Sequence, residues 1–342
     1  MVDAGACSTD NPPVLILSRA DVEALIDRDR LVDAIAAAMR ELSSGEASVP
    51  PRTAAMVERV GGALLAMPAY VPGAGALAAK LVGQFPRNPA DHGLPSHVAV
   101  IASFDPETGV PEAVMDGEVI TAERTAAGSA LSARLLARAD ASVLAVLGTG
   151  VQARAHARAL VRVRSVRELR VAGRDPAKAA ALAADLGAEL GIEARAAASY
   201  REAMAGADIV CACTHASEPV VEGAALEPGM HVTSVGVNGD GRELAADAVA
   251  RALLVVESRA AALAPFPTGS NDLGWAIRDG AIGADHVHAE IGELVAGSAE
   301  GRTSDRQITL YKSVGVAAQD AAAAAMVLAE AKARRIGTDV AF

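Results

Sequence analysis

The sequence has few aromatic residues, few cysteines and no long apolar run. Its 342 residues include one Trp, three Tyr, four Phe and three Cys. No segment reaches the roughly 18 consecutive apolar residues that a membrane-spanning helix needs, so we predict no contact with a membrane. The opening stretch, MVDAGACSTDNPP, lacks the basic and apolar regions of a secretory signal. Three cysteines cannot build a disulfide framework, and we therefore expect the protein in the cytoplasm.

Positive charge is also scarce, and it is scattered. The chain carries 31 Lys and Arg against 42 Asp and Glu, a net charge of −11, without a basic block. This balance argues against a nucleic-acid partner. The seven histidines show no His-x-x-x-His pair, and Cys211 and Cys213 lie in the apolar run ADIVCACT, as buried strand residues do. We therefore expect no metal site, and we interpret His92 and His97 as structural or solvent-facing.

Apolar residues, in contrast, make up 51% of the chain, enough for the two domains that its length suggests. Helical periodicity runs from Ser18 to about Ser43. Short strand-like segments near 50–58, 62–69, 76–85, 97–104 and 110–116 then predict an antiparallel meander, followed by a helix over about 121–139. From 143 onward, strands near 143–147, 168–172, 193–196, 208–213, 230–235 and 253–256 alternate with helices, which predicts a doubly wound parallel sheet. A last helix is predicted over 314–335.

The segment VLAVLGTGVQARAHARAL, residues 143–160, has the pattern of a dinucleotide-binding turn. An apolar strand leads into Gly148-x-Gly150-x-x-Ala153, and a helix follows. Gly148 permits the tight turn, Gly150 leaves room for a pyrophosphate, and Ala153 is small enough for close packing of helix and strand. The unpaired amides at the helix start face the phosphates. An ordinary glycine-rich turn is the alternative.

The end of the second strand of this alternation, ELRVAGRDP, indicates which dinucleotide binds. An acidic residue there accepts hydrogen bonds from the ribose 2′-hydroxyl of NAD, whereas Arg174 suits the 2′-phosphate of NADP. Asp175 follows directly and would take the acidic role if the loop shifted by one residue. We therefore favour NADP(H), with NAD(H) as the alternative.

Three basic residues of the N-terminal half stand among apolar neighbours. They are Arg52 in VPPRTAAM, Lys80 in LAAKLVGQF and Arg124 in TAERTAAG. A lysine in an apolar strand with no acid beside it needs a partner, and an anionic substrate would serve. Each side chain alone is also compatible with an exposed ammonium or guanidinium group on an apolar stem. Together they predict a cradle for a substrate carboxylate.

The order of several motifs resembles the ornithine cyclodeaminase and μ-crystallin family, from about residue 14 to 330. The motifs are PPRT, LLAMPAY, AKLVGQFPRN, ITAERTAAGSALSARLLA, GTGVQARAH, ADIVCACT and EGRTSDRQITLYKSVGVAAQD. The resemblance implies an α/β protein in which a Rossmann-type doubly wound parallel sheet, residues 125–313, is inserted into a smaller α+β domain. That smaller domain, residues 1–124 plus 314–342, would bind substrate and form a homodimer.

The resemblance also implies residue roles. Arg52, Lys80 and Arg124 would hold the substrate carboxylate, Lys80 would also donate or relay a proton, and Met67 would line the pocket. The phosphates would contact Thr125 and the turn, and the nicotinamide site would include residues near later strand ends. The residues expected to bind the cofactor are Thr125, Gly148, Thr149, Gly150, Val151, Gln152, Arg174, Thr214, Val235, Ser313, Val314 and Gly315. Met67 as a core residue and Thr214 as a strand cap are the alternatives.

One position departs from the cyclodeaminases, which have an aspartate in the loop after the fifth Rossmann strand. Here the loop is SVGVNGDGREL, with Asn238 at that place and Asp240 two residues later. An amide cannot accept the proton, so the cyclising reaction loses its base unless Asp240 replaces it. Asn238 could still hydrogen-bond a substrate nitrogen.

These observations predict an NAD(P)H-dependent reductase of cyclic ketimine carboxylates, such as pyrroline- or piperideine-2-carboxylate. The substrate is thus a small α-imino or α-amino acid. A linear amino-acid dehydrogenase or an opine-type reductive condensation would use nearly the same groups. The sequence is also compatible with an ammonia-releasing ornithine cyclodeaminase that recycles its NAD, or with a non-catalytic NADPH-dependent binding protein.

Overall fold

The computed structural model describes residues 12–236, 241–265 and 268–341, which form two β-sheets with helices packed against them. The strands are β1 (Val14–Leu17), β2 (Thr53–Val57), β3 (Gly62–Val71), β4 (Ala76–Gln84), β5 (His97–Phe104), β6 (Pro111–Asp116), β7 (Val143–Leu147), β8 (Glu168–Ala172), β9 (Glu193–Ala196), β10 (Ile209–Ala212), β11 (His231–Ser234), β12 (Leu253–Val256), β13 (Val287–Glu290), β14 (Thr309–Lys312) and β15 (Thr338–Val340). The helices are α1 (Arg19–Leu25), α2 (Arg28–Ser44), α3 (Asn88–Asp91), α4 (Gly117–Leu136), α5 (Val151–Val163), α6 (Pro176–Leu190), α7 (Tyr200–Met204), α8 (Ala246–Ala250), α9 (Arg259–Ala262), α10 (Asn271–Arg278), α11 (Ile291–Ala296) and α12 (Ala317–Arg334).

The first sheet has seven strands in the order β15-β1-β6-β5-β4-β3-β2. Strands β2 to β6 pair antiparallel with their neighbours along the chain, which confirms the predicted meander. Strands β1 and β15 were not predicted. They pair with each other antiparallel, and β1 also pairs parallel with β6, so residues near the two ends of the chain complete one sheet.

The second sheet has eight strands in the order β13-β12-β14-β11-β10-β7-β8-β9. All of its pairings are parallel. Helices follow most of its strands, and the order reverses beside β7, which confirms the predicted doubly wound sheet. The six predicted strands are present, whereas β13 and β14 add two that the alternation did not indicate.

The predicted helix from Ser18 to Ser43 is two helices in the structure. Ser18 caps α1 in a reciprocal capping box with Asp21. The chain then leaves helical geometry at Ile26, and the carboxylate of Asp27 accepts hydrogen bonds from the first amides of α2. Asp27 thus caps the start of a new helix. The apolar periodicity continues across Ile26 and Asp27, although the helix itself is interrupted there.

Helix α4 connects the two sheets and is buried over most of its length. Its Ser129 hydroxyl lies 2.9 Å from Nε2 of His156, and its Ser132 hydroxyl lies 3.1 Å from Nε2 of His231. The predicted division of the chain between residues 124 and 125 falls inside this helix. Within the described part of the chain, no helix combines the length and the apolarity that crossing a bilayer requires.

Candidate active site

The glycine turn lies between β7 and α5. Gly148 has φ +122°, its N–H donates to the Ala172 carbonyl at 2.8 Å, and a Cβ there would lie 2.6 Å from the Cys213 carbonyl oxygen. Gly148 is therefore required by the path of the chain itself. At Gly150 an added Cβ would meet no atom within 4 Å.

Helix α5 begins beside this open space. Among the described residues no side chain caps its N-terminus, which leaves its first amides available to an anion. Thr149 precedes the helix, Val151 is exposed, and Oε1 of Gln152 is buried with no hydrogen-bond partner among the described residues. Ala153 is fully buried, as close packing of helix and strand requires. The uncapped amides and the open space beside them together fit a bound pyrophosphate.

The chain passes beside this turn again after β8. A Cβ on Gly173 would lie 2.7 Å from Cγ2 of Thr149, so the two loops touch. Arg174 is exposed next to them. The carboxylate of Asp175 caps α6 by accepting hydrogen bonds from the amides of Ala177 and Lys178 at 2.9 and 3.2 Å. Of the two charged residues, Arg174 is thus the one not committed to a helix cap.

The three predicted cradle residues lie at the junction of the two sheets. Lys80 is 2% exposed on β4, and its strand partner in β3 is Met67, also buried. Lys80 Nζ lies 2.7 Å from Oδ2 of Asp320, and Arg124 Nε lies 2.9 Å from Oδ1 of the same carboxylate. Arg124 also donates to Oε1 of Gln319 at 2.8 Å.

Asp320 corrects the expectation that Lys80 has no acid nearby. The acid comes from the first turn of α12, which packs against β3 and β4. One carboxylate between two cations leaves the cluster with net positive charge. The predicted substrate carboxylate would be a second anion beside this ion pair, and the lysine does not depend on substrate for a partner.

The charges of this cluster act on one another. Burial lowers the pKa of Lys80 to about 8, the nearby Arg124 and Arg52 lower it as well, and Asp320 opposes the shift. Burial alone would raise the pKa of Asp320, but Arg124 and Lys80 outweigh it and the pKa falls. The pair is therefore ionic at neutral pH, and Lys80 releases its proton near pH 8.

Arg52 approaches the cluster from the residue before β2. Its Nη2 donates to the carbonyl oxygens of Val314 and Gly315 at 3.1 and 2.6 Å. Desolvation lowers the pKa of Arg52, with Glu257 opposing the shift. One terminal nitrogen is thus bound to main chain, and the remaining N–H groups of the guanidinium are the ones that could reach a substrate carboxylate.

The predicted nicotinamide residues lie at the carboxyl ends of the central parallel strands. Thr214 donates from its amide and its hydroxyl to Oε1 of Glu243, at 2.5 and 2.8 Å. Glu243 is buried and also accepts from the Ser234 hydroxyl, next to Val235. Sequence reasoning missed Glu243, whose side chain accepts hydrogen bonds from residues at the ends of two neighbouring strands, β10 and β11.

The Thr125 hydroxyl is engaged within its own helix, α4. It donates to the Thr121 carbonyl at 2.6 Å, so the predicted phosphate contact would need this hydroxyl to turn. Asn238 and Asp240 lie outside the described residues, and their predicted roles stay predictions.

The Ser313–Gly315 segment closes the site between β14 and α12. The Ser313 hydroxyl and the amides of Val314 and Gly315 all donate to Glu257, each at 2.8 Å. Gly315 has φ +76°, and an added Cβ would lie 2.9 Å from Nη2 of Arg124. The segment therefore touches both the predicted nicotinamide site and the cradle.

His97 is closer to the site than its interpretation as structural or solvent-facing implied. Its side chain lies on the same face of β5 as buried Ala99, and it is partly buried, whereas His92 is exposed. Burial, followed by the charges of Lys80 and Arg124, lowers the pKa of His97 to about 4. A neutral imidazole therefore stands near the cations. Strand alternation from Ala99 would have indicated this orientation.

One group in the described part of the chain brings together possible metal ligands: His156, Cys211 and Cys213, whose donor atoms lie within 4.8 Å of one another. The sequence spacing could not show it because helix α5 carries the histidine. The two ring nitrogens of His156 lie 2.9 Å from the Ser129 hydroxyl and 2.7 Å from the Gln152 carbonyl. Burial raises the pKa of the Cys213 thiol, whereas metal binding needs a thiolate. The group therefore fits hydrogen bonding in the core.

Comparison with known proteins agrees with this geometry. Residues 14–335 match the ornithine cyclodeaminase/mu-crystallin family. A mouse (Mus musculus) relative named ketimine reductase mu-crystallin is 36% identical over 301 residues, which are 87% of this chain and 90% of that protein.

Two solved structures resemble the chain closely. The Thermococcus litoralis Δ1-pyrroline-2-carboxylate reductase in complex with NADH and L-proline has a TM-score of 0.91 at 40% identity, covering 96% of this chain and all of the other. An archaeal alanine dehydrogenase dimer with bound NAD has a TM-score of 0.87 at 33% identity, covering 96% and 99%.

Proposed function

The chain belongs to the ornithine cyclodeaminase/mu-crystallin family, and from that premise we propose that it is an NAD(P)H-dependent oxidoreductase. It acts on the bond between carbon and nitrogen in an α-imino or α-amino acid. The observation that carries the proposal is the buried, net positive group of Lys80, Arg124 and Asp320. This group touches the segment that also borders the carboxyl ends of the parallel strands, where a nicotinamide ring would lie.

The substrate class we propose is a cyclic ketimine carboxylate, such as pyrroline-2-carboxylate. Related proteins are named as reductases of such compounds, and one of them was solved with proline and NADH. Arg124 and Arg52 bind the carboxylate, and Met67 lines the pocket. When bound, the reduced nicotinamide supplies a hydride to the imine carbon, and the nitrogen takes up a proton, which gives the cyclic amino acid.

Lys80 supplies that proton in this proposal. It is the buried group with a pKa of about 8, so at neutral pH its ammonium form predominates and its proton is only weakly held. The carboxylate of Asp320 stabilises the charged form of this buried ammonium group. Asn238 is expected to hydrogen-bond the substrate nitrogen. It cannot act as the base that an ornithine cyclodeaminase needs, and that is why we favour reduction over the ammonia-releasing reaction.

The test is turnover with purified protein. NADPH absorbance should fall when pyrroline-2-carboxylate is added, and Lys80→Ala should abolish the fall while NADPH binding persists. Arg87→Ala is the control and should behave as the wild type, because the Arg87 side chain is exposed after the end of β4 and pairs with Asp91. Ammonia release from ornithine without net NADPH change would instead establish the cyclodeaminase reaction. NADPH binding without either reaction would establish a binding protein.

We further propose that NADP(H) is preferred over NAD(H). Arg174 is exposed beside the glycine turn of residues 148–153, which we propose as the phosphate turn. The carboxylate of Asp175 is already engaged as the cap of α6. Arg174→Ala should lower kcat/KM for NADPH by about 10- to 100-fold and change that for NADH little, since a charge-assisted contact to the 2′-phosphate is lost. Steady-state rates with both cofactors measure this. An equal loss with both would contradict the assignment.

The protein is also proposed to be a homodimer; the archaeal alanine dehydrogenase was solved as a dimer. Several large apolar side chains are exposed on the outer face of the seven-stranded sheet: Val57, Leu64, Leu81, Val98 and Val100. We assign residues 1–124 and 314–342 to the substrate and dimerisation domain and 125–313 to the cofactor domain. The cytoplasm is the proposed compartment because Cys211 and Cys213 are free thiols.

A further inference from the structure

Glu257 is a buried carboxylate that lies outside both the phosphate turn and the Lys80 cluster. It follows β12 directly and is 1% exposed. Its Oε1 accepts a hydrogen bond from the Ser313 hydroxyl, and its Oε2 accepts from the amides of Val314 and Gly315. Three donors on consecutive residues thus converge on one charged group. Hydrogen bonds to an ionised acceptor are among the strongest that proteins form.

The opposite side of the same segment is held by the substrate cradle. Arg52 donates to the carbonyl oxygens of Val314 and Gly315. Arg124 lies against the α-carbon of Gly315, so closely that a Cβ would collide with its guanidinium. The N–H groups of Val314 and Gly315 therefore donate to Glu257, in the proposed cofactor domain, and their carbonyl groups accept from Arg52, in the substrate cradle.

We propose that Glu257 is a positioning residue that fixes the Ser313–Gly315 segment and, through it, aligns the nicotinamide wall with Arg52 and Arg124. The inference rests on the proposed function and deepens it. In this proposal Glu257 acts through the segment it binds and not by contact with substrate or cofactor. If the segment moved, the hydride donor and the carboxylate cradle would shift relative to each other, and hydride transfer depends steeply on that distance.

The test separates geometry from charge with two substitutions. Glu257→Ala leaves the amides of Val314 and Gly315 without their acceptor, and kcat should fall by about 100-fold. The NADPH dissociation constant should change less than about threefold, because the phosphate turn is untouched. Glu257→Gln keeps an oxygen for the two amides and turns an N–H toward the Ser313 hydroxyl, so it should restore kcat to within about fivefold of the wild type.

Glu41→Ala is the matched control. Glu41 is also a buried carboxylate that accepts a backbone amide, that of Gly73 at 2.9 Å, and it is in the other domain. Its loss should lower thermal stability and leave kcat unchanged. A kcat for Glu257→Ala within about threefold of the wild type, or an equal loss in Glu41→Ala, would overturn the proposal. If Glu257→Ala does not fold, Glu257→Asp, whose shorter side chain cannot hold all three donors, takes its place.

A binding measurement keeps this inference separate from the proposed function. If the wild type does not reduce pyrroline-2-carboxylate, the proposed substrate class is wrong, but the fluorescence of bound NADPH still reports how firmly the nicotinamide ring is held. Lower emission at saturation in Glu257→Ala, with the dissociation constant unchanged, supports positioning by Glu257. Emission equal to the wild type at saturation overturns it.

Discussion

Lys80 shows what can and what cannot be inferred about a single residue. A lysine within an apolar strand predicted a buried charge that needs a partner, and the structure confirms the burial and the need. The partner could not be predicted, because Asp320 belongs to the first turn of the last helix and no local pattern relates the two positions. Asp320 also accepts a hydrogen bond from Nε of Arg124. Only packing of α12 on the meander brings the three charges together.

Asp320→Asn tests the function of this contact through pH. The carboxylate raises the pKa of Lys80 against the effect of burial and of the two arginines. Its removal should therefore move the Lys80 pKa from about 8 to a lower value. Since reduction needs the ammonium form, kcat/KM for the imine should decline above about pH 8 in the wild type and from a lower pH in the variant. The measurement is the pH dependence of NADPH oxidation.

Lys80→Arg provides the comparison for that profile. A guanidinium stays protonated throughout the accessible range, so any remaining activity should show no decline near pH 8. If the wild-type and Asp320→Asn profiles coincide, the decline belongs to another group and Asp320 does not control the proton of Lys80.

Among the structural elements, the glycine turn between β7 and α5 was the most predictable part of the protein. Its strand, glycines and helix are consecutive in sequence, so the pattern GTGVQA in its context was sufficient. The Ser313–Gly315 segment was assigned to the nicotinamide site only through resemblance. Its anchor, Glu257, was missed, because a buried acid at a strand end has no signature until the segment it holds is known.

Substitutions of the two glycines in the turn should have different effects, one on stability and the other on NADPH binding. Gly148→Ala forces a side chain onto a backbone with φ +122° and against the Cys213 carbonyl, so we expect a loss of about 1–3 kcal/mol in stability. Gly150→Ala meets open space at an extended backbone. It should leave the apoprotein within about 0.5 kcal/mol of the wild type and weaken NADPH binding, because the methyl group occupies the path of the pyrophosphate.

Urea unfolding of the apoprotein and NADPH titration measure the two effects. The expectation fails if Gly150→Ala binds NADPH as tightly as the wild type, since the open space would then not be the phosphate site. It fails equally if Gly148→Ala unfolds at the same urea concentration as the wild type.

For the molecule as a whole, the two sheets were predicted, but the pairing of β1 with β15 at the edge of the first sheet was not. A succession of short strand-like segments and an alternation of strands with helices are repeated signals, and each predicted its sheet. Strands β1 and β15 are only four and three residues long, too short to show periodicity. Their pairing joins distant parts of the chain to the edge of the meander, and α12, which brings Asp320 to Lys80, immediately precedes β15. The pairing of β15 with β1 thus also helps to hold α12, and with it Asp320, in place beside Lys80.

The outer face of that sheet carries the last prediction. Leu81 and Val100 are directly opposite each other on β4 and β5 and are 42% and 45% exposed. An apolar pair in the middle of an exposed sheet face is expected to be covered by a second copy of the chain. Glutamate at both positions would place like charges against their symmetry-related counterparts without touching the buried face that carries Lys80. The double substitution should weaken dimerisation by at least about 100-fold.

Sedimentation equilibrium of the wild type, the double variant Leu81→Glu/Val100→Glu and the single variant Val340→Glu measures this. Val340 is an exposed apolar residue on β15, an edge strand of the same sheet that is separated from β5 by β1 and β6, so Val340→Glu should remain dimeric. A double variant that keeps the mass of a dimer would show that the subunits associate through a different surface. A monomeric wild type would show that this apolar face is not a dimer interface, and the proposed homodimer would be wrong. If the double variant becomes monomeric and still reduces the imine, each chain contains a complete site, as the contacts of Lys80, Arg124 and Asp320 within one chain lead us to expect.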